Sequence, residues 1–223
     1  MYLFDIDGTL LLSGGAGSRV INRVFERRFE VEGAMDSVSP GGKTDDMIFQ
    51  ECAIAKLGRE LSRSEVDSMQ EAYLSELPEE LASSPGFRLM PFARECLDFL
   101  VIRSPQMGIA TGNVESAAKS KLARAGLSHY FCFGGYGSDS AQRSELVSAA
   151  VQRGSAIHGA PIAVEKFVVV GDTLRDIEAA RACGVRVLAV AAGSCTIDEL
   201  RAAKPDALFE TLEELPAWHL AEF

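Results

Sequence analysis

Residues 1–10 read MYLFDIDGTL, and the fold is decided there. Tyr2, Leu3 and Phe4 form an apolar run without alternation, the pattern of a strand covered on both faces. Asp5 closes the run, Asp7 follows two positions later, and Gly8 and Thr9 come next. A strand buried on both faces belongs to a parallel sheet. In open α/β sheets, ligands bind beyond the carboxyl ends of the strands, so the two carboxylates stand where chemistry is expected.

Downstream, the character changes twice. The glycine-rich stretch LLSGGAGS (residues 11–18) reads as a loop or hinge. From about Ser18 to Ser84 the pattern is helical and carries no convincing strand. Val20, Ile21, Val24, Phe25 and Phe29 share one helical face. Thr44 is placed as an N-cap with acids in the following turn, and Ser62 with Glu65 has capping-box spacing. After Pro85 and Gly86, strands alternate with helices, with Gly126 and Gly184 as helix stops and a loop at Pro161. This pattern predicts an α/β protein with a doubly wound, Rossmann-like parallel sheet. The expected organisation is a core from residues 1–14 and 86–223, with residues 15–85 as an inserted α-helical domain.

Polar residues mark the ends of three predicted strands. The first supplies Asp5 and Asp7. GIATGN (residues 108–113) supplies Thr111, Gly112 and Asn113. VVVGDTLRD (residues 168–176) supplies Asp172, Thr173 and Asp176. Four carboxylates aimed at one rim repel each other by several kcal/mol per close pair, about 4 kcal/mol at 4 Å and an effective dielectric near 20. Such a cluster requires a cation or a shared proton. With no histidine or cysteine pattern nearby, hard oxygen ligands favour Mg²⁺, which commonly partners a phosphate. A carboxylate can attack phosphorus to form an aspartyl-phosphate once a cation removes the repulsion. A second acid is then needed to protonate the leaving oxygen and later activate water. Local chemistry gives Thr111 a second reading as an N-cap, and Asp176 one as a first-turn helix acid.

The motifs DIDGT, ATGN and VGDTLRD, in this order, resemble the haloacid dehalogenase-like hydrolase superfamily, over the first strand and nearly everything after residue 86. The resemblance implies that Asp5 is the nucleophile and Asp7 the general acid/base. It implies phosphoryl contacts from Gly8, Thr9, Gly112, Asn113 and the Thr111 hydroxyl. It implies Mg²⁺ held by Asp5, Asp172 and Asp176, with the backbone carbonyl of Asp7 as a further ligand. Family members usually present a lysine before a helix to contact nucleophile and phosphate. The matching stretch here is SDSAQRSELVSAA (residues 138–150), with Arg143 as the cation. Arginine is a rigid fork where lysine is a point charge, so this is a departure. The helical insert resembles the mobile cap of phosphoglycolate-phosphatase-like members. Its GGKTDD loop (residues 41–46) offers Lys43 as a specificity residue.

The expected function is therefore a Mg²⁺-dependent phosphomonoester hydrolase acting on a small phosphorylated metabolite. A phosphomutase of the same superfamily would use the same residues. A receiver-like phospho-accepting signalling domain is the alternative from another class. An aspartate at position 7 disfavours dehalogenase and phosphonatase chemistry. The net charge of −10 argues against broad nucleic-acid binding. No apolar run is long enough to span a membrane, and no signal peptide is visible. Five scattered cysteines without a CxxC pair read as buried free thiols in a reducing, cytoplasmic setting.

Overall fold

The computed structural model describes residues 1–159 and 162–222; the loop expected at Pro161 lies outside them. The chain begins with β1 (Tyr2–Phe4) and β2 (Leu11–Ser13). It then forms helices α1 (Ala16–Phe29), α2 (Asp45–Leu57) and α3 (Arg63–Ser83), and returns through β3 (Phe87–Leu89). The remainder alternates: α4 (Ala93–Arg103), β4 (Met107–Thr111), α5 (Glu115–Ala125), β5 (Phe131–Tyr136), α6 (Arg143–His158), β6 (Val168–Gly171), α7 (Leu174–Ala182), β7 (Arg186–Val190), α8 (Ile197–Ala202), β8 (Ala207–Phe209) and α9 (Leu215–Glu222).

Six strands form one parallel sheet in the order β5–β4–β1–β6–β7–β8. The doubly wound expectation holds. Strand β1 sits between β4 and β6, with Phe4 in register with Ile109 and Val170. Adjacent side chains take opposite faces. Tyr2 and Phe4 join Ile109, Val168, Val170 and Leu188 in one core cluster. Leu3 joins Ala110, Val169, Val187 and Ile177 in the other. Phe4 is fully buried, a burial that contributes about 2 kcal/mol. The short strand is thus fixed on both sides, and its last residues project from a rigid mount.

Helices α1–α3 enclose a third cluster that includes Val20, Phe25, Phe49, Met69, Tyr73 and Leu77; Val114 and Ala117 from the start of α5 join it. The insert is therefore seated over the carboxyl end of β4. Thr44 accepts from the Met47 amide at 3.4 Å as an N-cap, and Ser62 with Glu65 forms the expected capping box.

Two expectations need correction. Residues 11–18 are not one loop: β2 pairs antiparallel with β3, and Ala16 and Gly17 already belong to α1. A three-residue strand has no periodicity to read, and its partner is remote in sequence. The cysteines are unpaired, but only Cys52 and Cys96 are buried, and Cys132 is exposed. Among the described residues, no helix is long and apolar enough to cross a membrane.

Candidate active site

The site is built where β1, β4 and β6 end. After Asp5 the chain turns sharply: the Leu10 amide donates to the Ile6 carbonyl at 2.9 Å, and the Gly8 amide to the Leu11 carbonyl at 2.9 Å. Gly8 makes the turn with φ of 85°. A Cβ at Gly8 would lie 2.5 Å from a carboxylate oxygen of Asp172, so only glycine fits this close approach.

Three carboxylates converge. Asp5, Asp172 and Asp176 are all buried and offer oxygens within 4.8 Å of one another. Arg143, at the start of α6, reaches into the group. Its Nη2 lies 2.6 Å from Asp176 Oδ1 and 3.0 Å from Asp5 Oδ2, and its Nε donates to Asp176 at 3.0 Å. Its Nη1 donates to the Gly42 carbonyl of the insert at 3.2 Å. Asp172 accepts from the Thr9 hydroxyl at 3.1 Å and the Ser194 amide at 3.0 Å. Asp176 forms a capping box with Thr173 at the start of α7. Asp176 is thus a first-turn acid and a member of the cluster at once.

Burial, reinforced by the neighbouring Asp176 and Asp5, pushes the Asp172 carboxyl up to about 7. Burial also pushes Asp5 upward, against the pull of Arg143. One guanidinium among three carboxylates leaves a deficit of positive charge, which adds to burial in raising Asp172. An all-oxygen, buried, electron-rich donor set fits a hard divalent cation.

Asp7 stands apart. Its carboxylate is not part of this group; Oδ2 accepts from Lys121 Nζ at 2.6 Å and Asn113 Nδ2 at 2.7 Å. Lys121 also donates to Asn113 Oδ1 at 2.6 Å. Thr111, at the end of β4, accepts from Asn113 Nδ2 at 2.8 Å. It does not cap α5. Asp45 of the insert meets the chain just before α5: its Oδ2 accepts from the Val114 amide at 2.8 Å while its own amide donates to the Gly112 carbonyl at 3.0 Å. Burial pushes Asp45 up to about 6, although Lys121 and the Val114 amide both pull it down.

A cavity of about 130 Å³ lies between the insert and the sheet. Asp5, Asp7, Thr111, Gly112, Asn113, Lys121 and Arg143 line it from below. Lys43 also lines it, with its ammonium held by Glu51. Gly8 and Thr9 lie behind the carboxylates, against Asp172.

This arrangement is a rim of acids at parallel strand ends under a helical insert. The family model for haloacid dehalogenase-like hydrolases matches residues 2–190. The chain belongs to that family. Membership sets aside the receiver-like reading. A phosphoglycolate phosphatase from Synechococcus elongatus is 34% identical over 131 residues, which is 59% of this chain and 59% of that protein. The chain thus matches about three-fifths of the length of that curated relative. A protein described as probable phosphatase IndB, from Dickeya dadantii, is 26% identical over 96% of this chain and 91% of its own length. Among solved structures, a predicted phosphoglycolate phosphatase from Haemophilus somnus 129pt superposes with a TM-score of 0.74 at 21% identity, covering 96% of this chain and 95% of that one. A predicted phosphatase from Clostridium acetobutylicum superposes with a TM-score of 0.77 at 16% identity, covering 99% and 97%. At those identities the structural likenesses show the fold.

Within this haloacid dehalogenase-like fold, sequence reasoning missed Lys121 and Asp45. Lys121 lies on the face of α5 that also carries Ala117, Ala118, Leu122 and Ala125. A charge on an apolar helix face was the available signal. Asp45 reads as an ordinary first-turn acid; nothing local shows that it faces a second helix.

Proposed function

We propose that this hydrolase is a Mg²⁺-dependent phosphomonoesterase of small phosphorylated metabolites, working through an aspartyl-phosphate on Asp5. The observation that supports it most is the division of labour among the acids. Asp5 sits in the buried group with Asp172, Asp176 and Arg143. Asp7 is held on a separate Lys121–Asn113 network.

In this reading Asp5 attacks phosphorus as the ester P–O bond breaks, and Asp7 gives its proton to the leaving alcohol oxygen. Asp7 then takes a proton from water as that water attacks the acyl-phosphate, releasing inorganic phosphate and restoring Asp5. Arg143 holds Asp5 in place and offers positive charge to the phosphoryl oxygens. The Thr111 hydroxyl, with the backbone at Gly112 and Asn113, borders the phosphoryl position. Gly8 and Thr9 set Asp172. Asp5, Asp172 and Asp176 would hold Mg²⁺, with the Asp7 carbonyl as the expected fourth group. Bound there, Mg²⁺ supplies charge neutralisation between nucleophile and phosphate. Residues 15–85 act as a cap that excludes water from the cavity, with Lys43 bordering the leaving group. A cytoplasmic location accompanies this reading.

The test is phosphate release from a panel of phosphomonoesters. Wild type with Mg²⁺ releases phosphate, chelation stops it, and Asp5→Asn abolishes it. Turnover surviving Asp5→Asn would refute the mechanism. Isomerised sugar phosphate without net phosphate release would favour the mutase.

A further inference from the structure

The cavity under the insert holds a polar group with nothing to bind. Tyr73 of α3 is 2% exposed, and its ring packs edge-on against Phe49 at 5.9 Å. It lines the same cavity as Asp5 and Asp7. Among the described residues, its hydroxyl has no hydrogen-bond partner. Gly17 of α1 keeps the hydroxyl clear: a Cβ there would lie 3.3 Å from it. The hydroxyl opens on the cavity, where water reaches it and a ligand can take that water's place. Phenylalanine would fill the same place without offering a donor. The unmet donor points to an acceptor that is not part of the protein.

The surroundings narrow the acceptor's owner. The phenol's acidity is suppressed by burial and by the negative charges of Asp45 and Asp7, so Tyr73 is a hydrogen-bond donor and not a base. Ile21, Met35 and Ile48 supply apolar lining to the same cavity, with Ser13, Ser18, Lys43 and Asp45 as its polar side chains on the insert side. The cavity of about 130 Å³ leaves room beside a phosphoryl group for only a few carbons.

Resting on the phosphomonoesterase reading, we propose that Tyr73 is a specificity residue: its hydroxyl donates to a distal oxygen on the short leaving alcohol of the substrate. The preferred substrates are then small phosphomonoesters whose alcohol carries a second oxygen, a hydroxyl or a carboxylate, at the end away from phosphorus. A pocket that donates to such an oxygen discriminates strongly against the analogue lacking it, because the donor is then left unpaired.

The experiment compares ethyl phosphate, hydroxyethyl phosphate and phosphoglycolate on wild type and Tyr73→Phe. Wild type is expected to prefer at least one oxygen-bearing ester over ethyl phosphate by about tenfold or more in kcat/KM. Tyr73→Phe is expected to collapse that ratio by about the same factor. The favoured ester reports whether the acceptor is a hydroxyl or a carboxylate. A ratio unchanged by Tyr73→Phe, or a wild type without preference, overturns the proposal. Calorimetric binding of the same three esters needs no turnover. If wild type hydrolyses none of them, the enzymatic reading fails alone. Discrimination in binding that Tyr73→Phe removes then still supports the role of Tyr73, and its absence overturns it.

Discussion

Replacing Asp45 by asparagine tests how the insert is fastened to the core. Asp45 is buried, and its carboxyl is raised from 3.8 to about 6. Burial dominates that shift, against help from Lys121 and the Val114 amide. A raised carboxyl means that the folded state holds the proton more tightly than the unfolded chain. Its stabilising contribution is complete below the unfolded value and is lost as pH rises through the folded one. The interval from 3.8 to about 6 corresponds to about 3 kcal/mol lost by neutral pH. Asparagine keeps an oxygen for the Val114 amide and carries no charge. Stability measured by urea unfolding, metal-free, from about pH 4 to about pH 7.5 should therefore fall less in Asp45→Asn than in wild type. The variant gains about 2.5 kcal/mol relative to wild type across that interval, the rest having been lost below pH 4. Other buried acids titrate in both proteins and cancel in the difference. A wild-type-minus-variant difference that stays flat with pH would refute the assignment of a buried, ionising clasp.

Other outcomes follow from the site. Lys121→Met leaves Asp7 with Asn113 alone; the Asp7 side chain is 39% exposed and can rehydrate. Urea unfolding should thus show a loss under about 2 kcal/mol, while steady-state kcat falls about tenfold or more. Gly8→Ala combines a left-handed φ with a contact 2.5 Å from Asp172. It should lower stability by at least about 1–2 kcal/mol and weaken Mg²⁺ binding, read by the metal-induced rise in melting temperature.

Much of the architecture is legible in β1 because its unbroken apolar run demands cover on both faces. The acids follow from the same logic, since strand ends are where a doubly wound sheet exposes its chain. Arg143 was reachable only through the family resemblance, which asks for a cation before a helix; locally it reads as a solvated helix-start charge. The ribbon of β2 and β3 was not, because its pairing bridges the entire insert and each strand spans one short segment. Asp45 and Lys121 were hidden for a different reason. Each lies on a helix whose local pattern is ordinary, and each gains its character only from a neighbour on another element. Tyr73 sits in a stripe with Val66, Met69 and Leu77, which reads as core; only the cavity beside its oxygen distinguishes it.

The pairing of Ser13 with Phe87 has an engineering consequence. The chain re-enters the core beside the point where it left. In topological terms the helical insert is the loop of a β-hairpin, grown to the size of a domain. A tight turn between those two strands would close the same hairpin and leave the parallel sheet's connectivity intact. The ribbon therefore works as a socket. On the proposed reading of the insert as a cap, inserts of different shape are expected to be exchangeable through it without redesigning the strands that carry the acids, changing the range of accepted molecules while the reacting groups stay where they are.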